Sequence, residues 1–209
     1  MIWPILLFLA LAFITWRQTR SSYNRLGHWL NVGSNNAEIT QESALGQLLT
    51  TANRYFLERK WPAAEKAYLK VLKLDHKNLT AFRRLGLVYS YLREFEDAVE
   101  CCEYVIKHDP TAVDLQNYAT VQYHLKQYDE AIITMQRSLE LEPSLTRYVG
   151  LARMYAALGR DEKQLEALLA AHEVSRDDQI AISLIVQWYQ KHGQVEQVGA
   201  WKHRMNTVQ

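Results

Sequence analysis

The feature that most restricts what this chain can fold into is a self-similarity of period 33 to 34 that runs through most of its length. The segment RYFLERKWPAAEKAYLKVLKLDHKN aligns with LVYSYLREFEDAVECCEYVIKHDP, then with VQYHLKQYDEAIITMQRSLELEP, and more loosely with RMYAALGRDEKQLEALLAAHEVS. A fixed period of roughly 20 to 50 residues means that one supersecondary unit is stacked on copies of itself, so the architecture is decided before any local motif is read. Tyr55, Tyr89, Tyr155 and Tyr189 recur in one column, with Gln122 in their place in the third unit. Ala52, Gly86, Ala119 and Ala152 fill a second column, and Ala64, Ala98 and Ala131 a third. Trp61, Phe95 and Tyr128 stand three residues before those alanines, and Pro110 and Pro143 close two units.

Each unit has two apolar stripes of helical period around a short break, the pattern of a helical hairpin. The small residues let the paired helices approach closely, and Leu48, Phe82, Leu115 and Tyr148 are large enough to fill the space opposite. Pro62 falls at the start of a second helix, where no backbone donor is needed. Pro110 and Pro143 stop a helix from continuing. Eight glycines and four prolines are too few for the many turns of an all-β chain, so the expected class is all-α.

These columns resemble the tetratricopeptide repeat, a 34-residue helix-turn-helix unit with this order of aromatic, small residue, tyrosine, small residue, aromatic and proline. The resemblance implies a right-handed α-solenoid of helical hairpins. Repeats are expected at about 45–78, 79–111, 112–144 and 145–178, with a degenerate fifth repeat or capping pair at 179–209 around Gly193, in a domain over 41–209. The fourth unit keeps Ala152, Tyr155 and Gly159 but has Gln164 where alanine is expected and Arg176 in place of proline.

Ahead of the repeats, residues 2–16, IWPILLFLALAFITW, carry no charge, and Arg17, Arg20 and Arg25 follow before the first acid at Glu38. Fifteen residues rise about 23 Å, so Met1, Gln18 and the stem of Arg17 are needed to approach the roughly 30 Å hydrocarbon core. Trp3 and Trp16 stand at the ends, where indole rings favour an interface. The expected organisation is a transmembrane helix over 1–18, a polar linker over 19–40, and repeats held on the cytoplasmic side by the arginines, in a single-pass protein of a membrane such as the bacterial inner membrane. The competing reading is a secretory signal cleaved after Ala10-Leu11-Ala12, which lacks the basic start such signals carry.

The chemistry of the side chains excludes several functions. With 24 Lys+Arg against 23 Asp+Glu the chain lacks the basic surplus of a general nucleic-acid binder. The seven histidines are scattered without an HExxH or other ligand spacing, so no metal site and no cofactor is expected. Cys101 and Cys102 are adjacent, without a CxxC; Cys102 shares a column with Tyr68, Met135 and Leu168 and is expected in the core, with Cys101 half-exposed beside it. No GxSxG, Gly-rich phosphate loop or paired-acid catalytic pattern occurs, so no catalytic residue and no enzyme activity is expected.

In tetratricopeptide arrays the first helices line a concave groove, and the resemblance places Asn53, Phe56, Arg83, Arg84, Leu87, Tyr91, Asn117, Thr120, Tyr123, His124, Arg153, Gln187 and Lys191 on it. Such a mixture suits an extended peptide, whose backbone pairs with amides while its side chains pack on tyrosines. The arginines favour a protein or peptide partner with acidic residues or a free C-terminus, and no small-molecule substrate or nucleic acid. The lysine and asparagine clamp with which some members hold a chaperone's C-terminal carboxylate is not reproduced, since Leu49 and Val113 stand where two of its lysines would be. The expected function is a membrane-anchored scaffold that recruits a partner to the lipid bilayer; the alternative is a regulatory or assembly subunit of a membrane enzyme, acting through residues 1–18.

Overall fold

The computed structural model describes residues 38–207, with side chains from 44 to 206. The described residues form helices and no strand: α1 (Glu38–Leu57), α2 (Trp61–Leu74), α3 (Leu79–Leu92), α4 (Phe95–His108), α5 (Ala112–His124), α6 (Tyr128–Leu141), α7 (Leu145–Ala157), α8 (Asp161–Val174), α9 (Gln179–Lys191) and α10 (Val195–Thr207). The chain divides after Val105, near the end of α4, into two compact units.

In the first unit α1 packs on α2, α2 on α3, and α1 also touches α3. Its core is Ala52, Ala64, Tyr68, Val71, Leu85 and Val88, all fully buried. Gly86 brings α3 against α4: a Cβ there would lie 3.3 Å from Cys101 Cβ and 3.5 Å from Cys102 Sγ. The expectation for the cysteines is reversed, because Cys101 is fully buried and Cys102 half-buried. Ala98, Cys101 and Val105 share the innermost face of α4 at i, i+3 and i+7, which carries Cys102 to its edge. Burial then pushes the Cys101 thiol well above its usual range, so it packs as a small apolar residue.

In the second unit each helix from α5 to α10 packs on the next, and α5 touches α7. Ala119, Ala131, Met135, Leu151, Ala152, Leu168, Ile185 and Trp188 join in a single core cluster. Ser138 on α6 donates to the Ala112 carbonyl at the start of α5, satisfying a fully buried hydroxyl.

Two local devices repeat along the chain. The first helix of a hairpin ends on a left-handed residue: Arg59, Arg93, Lys126, Gly159 and Gly193, with φ of 56°, 63°, 64°, 66° and 69°. In each turn the next N–H returns to the carbonyl of Tyr55, Tyr89, Gln122, Tyr155 or Tyr189 at 2.9–3.0 Å, the six-to-one bond of a Schellman closure. Thus the tyrosine column, with Gln122 in its third place, marks the last turn of each first helix. Between hairpins, the side chains of Asn78, Thr111, Ser144 and Asp178 accept from backbone N–H groups of α3, α5, α7 and α9. Thr111 and Asp114 complete a reciprocal capping box. α2 opens with Trp61-Pro62, and Pro110 and Pro143 lie just beyond α4 and α6.

The expected location, a single-pass protein of the membrane with cytoplasmic repeats, is corrected here: among the described residues no helix is long and apolar enough to cross a membrane. Helices α2 to α10 have 13 or 14 residues, rising about 20 Å and short of a bilayer core of about 30 Å. α1 has 20 residues but carries Gln47, Thr50, Thr51, Asn53 and Arg54 among its apolar side chains. The expected transmembrane segment 1–18, and the linker as far as residue 37, lie outside the described residues.

Candidate functional site

In the first unit the expected binding residues come from α1 and α3. Asn53 is half-buried and its Oδ1 accepts from the Tyr68 hydroxyl at 2.7 Å. Burial pushes the Tyr68 phenol up to about 12, against the opposing pull of Arg84, so it stays a donor and fixes the amide. Arg83, Arg84, Leu87 and Tyr91 share one face of α3 at i, i+1, i+4 and i+8.

Around them lies an aromatic group. Phe56 meets Trp61 edge-on, with centroids 5.5 Å apart, and the Arg84 guanidinium sits 4.7 Å above the Phe56 ring. Trp61 stacks on Tyr91 at 4.3 Å with 9° between the planes, and Tyr91 is 60% exposed. Offset stacking contributes about 0.5–1.5 kcal/mol and a cation over a ring about 0.5–1 kcal/mol at exposed sites, so the face is pre-ordered while one side of Tyr91 stays open. Trp61 is a hairpin-packing residue by its column, and its contacts with Phe56 and Tyr91 show that it belongs to this face.

In the second unit the expected residues are spread over three first helices. On α5, Thr120 donates its hydroxyl to the Gln116 carbonyl at 2.9 Å, which spends that donor within the helix. Tyr123 leans on Tyr128 at 5.4 Å and on His124 at 5.7 Å, and Asn117 is half-buried on the same helix. Arg153 on α7 and Gln187 and Lys191 on α9 are brought together at a cavity of about 290 Å³. The cavity floor and walls include Ala152, Gln164, Leu168, Leu184 and Trp188, none of which the groove register places there. A departure from the repeat pattern at Gln164 was the available signal.

Electrostatics distinguish the charges at this cavity. Lys191 is held by Asp161 at 3.1 Å, and His192 approaches the same carboxylate at 3.5 Å. Those hydrogen bonds, Lys191 first, hold the Asp161 carboxyl below its usual range. The Trp188 indole donates to the Asp161 carbonyl at 3.1 Å and stacks on His192 at 3.9 Å, which fixes the cavity wall. Arg153 and Gln187 are exposed, and neither makes a hydrogen bond or ion pair among the described residues. Among the described residues no group of three or more His, Cys, Asp or Glu could hold a metal ion.

Residues 115–145 match the family model for the tetratricopeptide repeat. That stretch is similar to a tetratricopeptide repeat. The wider fold agrees: a crystal structure of the MamA protein superposes with a TM-score of 0.70 at 20% identity, covering 78% of this chain and 91% of that one. A second, of YrrB, described as a tetratricopeptide repeat protein with an unusual peptide-binding site, gives 0.64 at 19% identity over 83% of this chain and 94% of that one. The helical hairpins on both sides of residues 115–145 therefore share the tetratricopeptide fold. Among curated proteins, Hsp70-Hsp90 organizing protein 2 of Arabidopsis thaliana is 32% identical over 95 residues, 44% of this chain. Hsp70-Hsp90 organizing protein 1 of Glycine max is 28% identical over 93 residues. The match spans 16% of either relative's length.

Proposed function

We propose that this chain is an interaction module that binds an extended, acidic segment of a protein partner along the first-helix faces of its tetratricopeptide repeats. The observation that carries the reading is the cavity of the second unit, where Arg153 and Gln187 stand beside apolar walls without partners among the described residues. A guanidinium left unpaired at an apolar cavity suits a carboxylate that brings its own apolar neighbour. The open face of Tyr91 in the first unit offers a second place for an apolar side chain. YrrB supports peptide binding by this fold. The organizing proteins tie such repeats to chaperones by name, but Leu49 and the exposed Val113 replace two clamp lysines, which argues for a ligand other than a chaperone tail.

Ion pairs at exposed sites contribute only about 0–1 kcal/mol each and weaken with salt, so affinity is expected in the micromolar range and to fall as ionic strength rises. Fluorescence anisotropy with a labelled nonapeptide rich in Asp and Glu, against a Lys-rich peptide of the same length, tests this. The acidic peptide should bind and Arg153→Glu should weaken it several-fold with helix content unchanged; equal binding of both peptides would falsify the reading.

A further inference from the structure

Gln164 occupies the position that Ala64, Ala98 and Ala131 hold in the other hairpins, and those three alanines are fully buried. Where a methyl group closes the helix crossing elsewhere, here a primary amide enters it. Its Oε1 is buried and has no hydrogen-bond partner among the described residues. Leaving such an acceptor unpaired costs about 1–3 kcal/mol, so the side chain gains by turning toward any donor that reaches it. Gln164 lines the same cavity of about 290 Å³ as Leu168, Leu184 and Trp188, and Arg153 stands at its rim. That volume is at the lower end of the roughly 300–1,000 Å³ of ligand pockets, room for one side chain.

We infer that this cavity receives a single aromatic side chain of the partner, tipped by an O–H or N–H donor, as in tyrosine or tryptophan, with a carboxylate next to it in the partner's sequence. The aromatic body rests against Leu168, Leu184 and Trp188, its donor meets the Gln164 carbonyl, and the neighbouring carboxylate meets Arg153. Each property of the occupant answers one property of the residues that line the cavity: the apolar side chains, the unpaired acceptor of Gln164 once its side chain turns toward a donor, and the unpaired cation of Arg153. The inference rests on the peptide-binding reading above and narrows it to one anchor residue.

The test uses the full chain and labelled acidic nonapeptides identical except at the central position, which is Tyr, Trp, Phe or Leu. A site that pairs a substrate hydroxyl discriminates against the analogue lacking it, so Tyr should bind about tenfold more tightly than Phe. Gln164→Ala, which installs the residue of the other hairpins and so leaves the fold intact, should bring the Tyr-to-Phe ratio close to one. Arg153→Glu should weaken Tyr and Phe peptides by the same factor and preserve their ratio. Equal affinities for Tyr and Phe in the unaltered protein, or a ratio that survives Gln164→Ala, overturn the anchor assignment and leave the peptide-binding reading standing. If no peptide of the panel binds, both fall.

Discussion

Arg59, Arg93 and Lys126 hold the left-handed position that Gly159 and Gly193 hold in the other two turns, all at φ between 56° and 69°. A left-handed conformation costs an L residue about 1–2 kcal/mol, and glycine avoids it at an unfolded-state entropy cost of about 0.5–1 kcal/mol. The balance favours glycine slightly. Lys126→Gly is therefore expected to stabilise the protein by about 0.5 kcal/mol, and Gly159→Ala to destabilise it by about 1 kcal/mol, both read as shifts of the urea midpoint. A shift in the opposite sense for both would mean that the turns are not closed as described. The left-handed position could not be read from the chain because three of its five occupants are long basic residues. The tyrosine five positions before the closing N–H was visible, but as a packing column and not as the acceptor of the turn.

The crossing of α3 and α4 is set by Gly86, where an added Cβ meets Cys101 Cβ at 3.3 Å. Cys101 is fully buried and cannot retreat, so Gly86→Leu should cost about 1–3 kcal/mol. Gly199 within α10 has nothing within 4 Å of its would-be Cβ, and Gly199→Ala should stabilise by about 0.5–1 kcal/mol through the unfolded chain. Thermal melts of the two variants should move in opposite directions. The helices and their pairing were legible because small, aromatic and proline columns repeat in phase. The caps Asn78, Thr111, Ser144 and Asp178 also recur every 33 or 34 residues, yet Asn, Thr, Ser and Asp share a function and not a shape, so the column is hidden from a comparison of side-chain size. The cavity was half legible: register grouped Arg153, Gln187 and Lys191 on the expected groove, and all three line the cavity, while Gln164 showed only as a mismatch.

Stability across the molecule should depend on pH through one residue that joins α8 to α10. His172 is nearly buried, edge-on to Trp201 at 5.0 Å, and its Nε2 lies 3.3 Å from Arg204, whose guanidinium stacks on Trp201 at 4.8 Å. Burial, then Arg204, pushes the His172 pKa below 6.5; Arg176 acts in the same sense, and Glu173 and Asp177 oppose it. The folded protein therefore keeps this imidazole neutral. Below about pH 6.5 the unfolded chain binds the proton first, so stability is full at neutral pH and falls as pH drops from about 6.5 toward the depressed folded value. Urea midpoints from about pH 8 down to about pH 5 should decline, and His172→Phe should flatten that decline; an unchanged slope in the variant would remove His172 as its source.

The recurrence of the closing turn at residues 59, 93, 126, 159 and 193 also sets the step in which a chain like this can change its length. Gain or loss of a whole period by duplication or deletion delivers every surviving carbonyl to the same partner five residues on, because each turn is closed by its own hairpin alone. One extra codon inside a helix does the opposite, since it rotates all later side chains of that helix by about 100° and carries its core residues into water. Heritable change of length in this molecule is therefore quantised: whole periods are gained or lost far more safely than single codons within a helix.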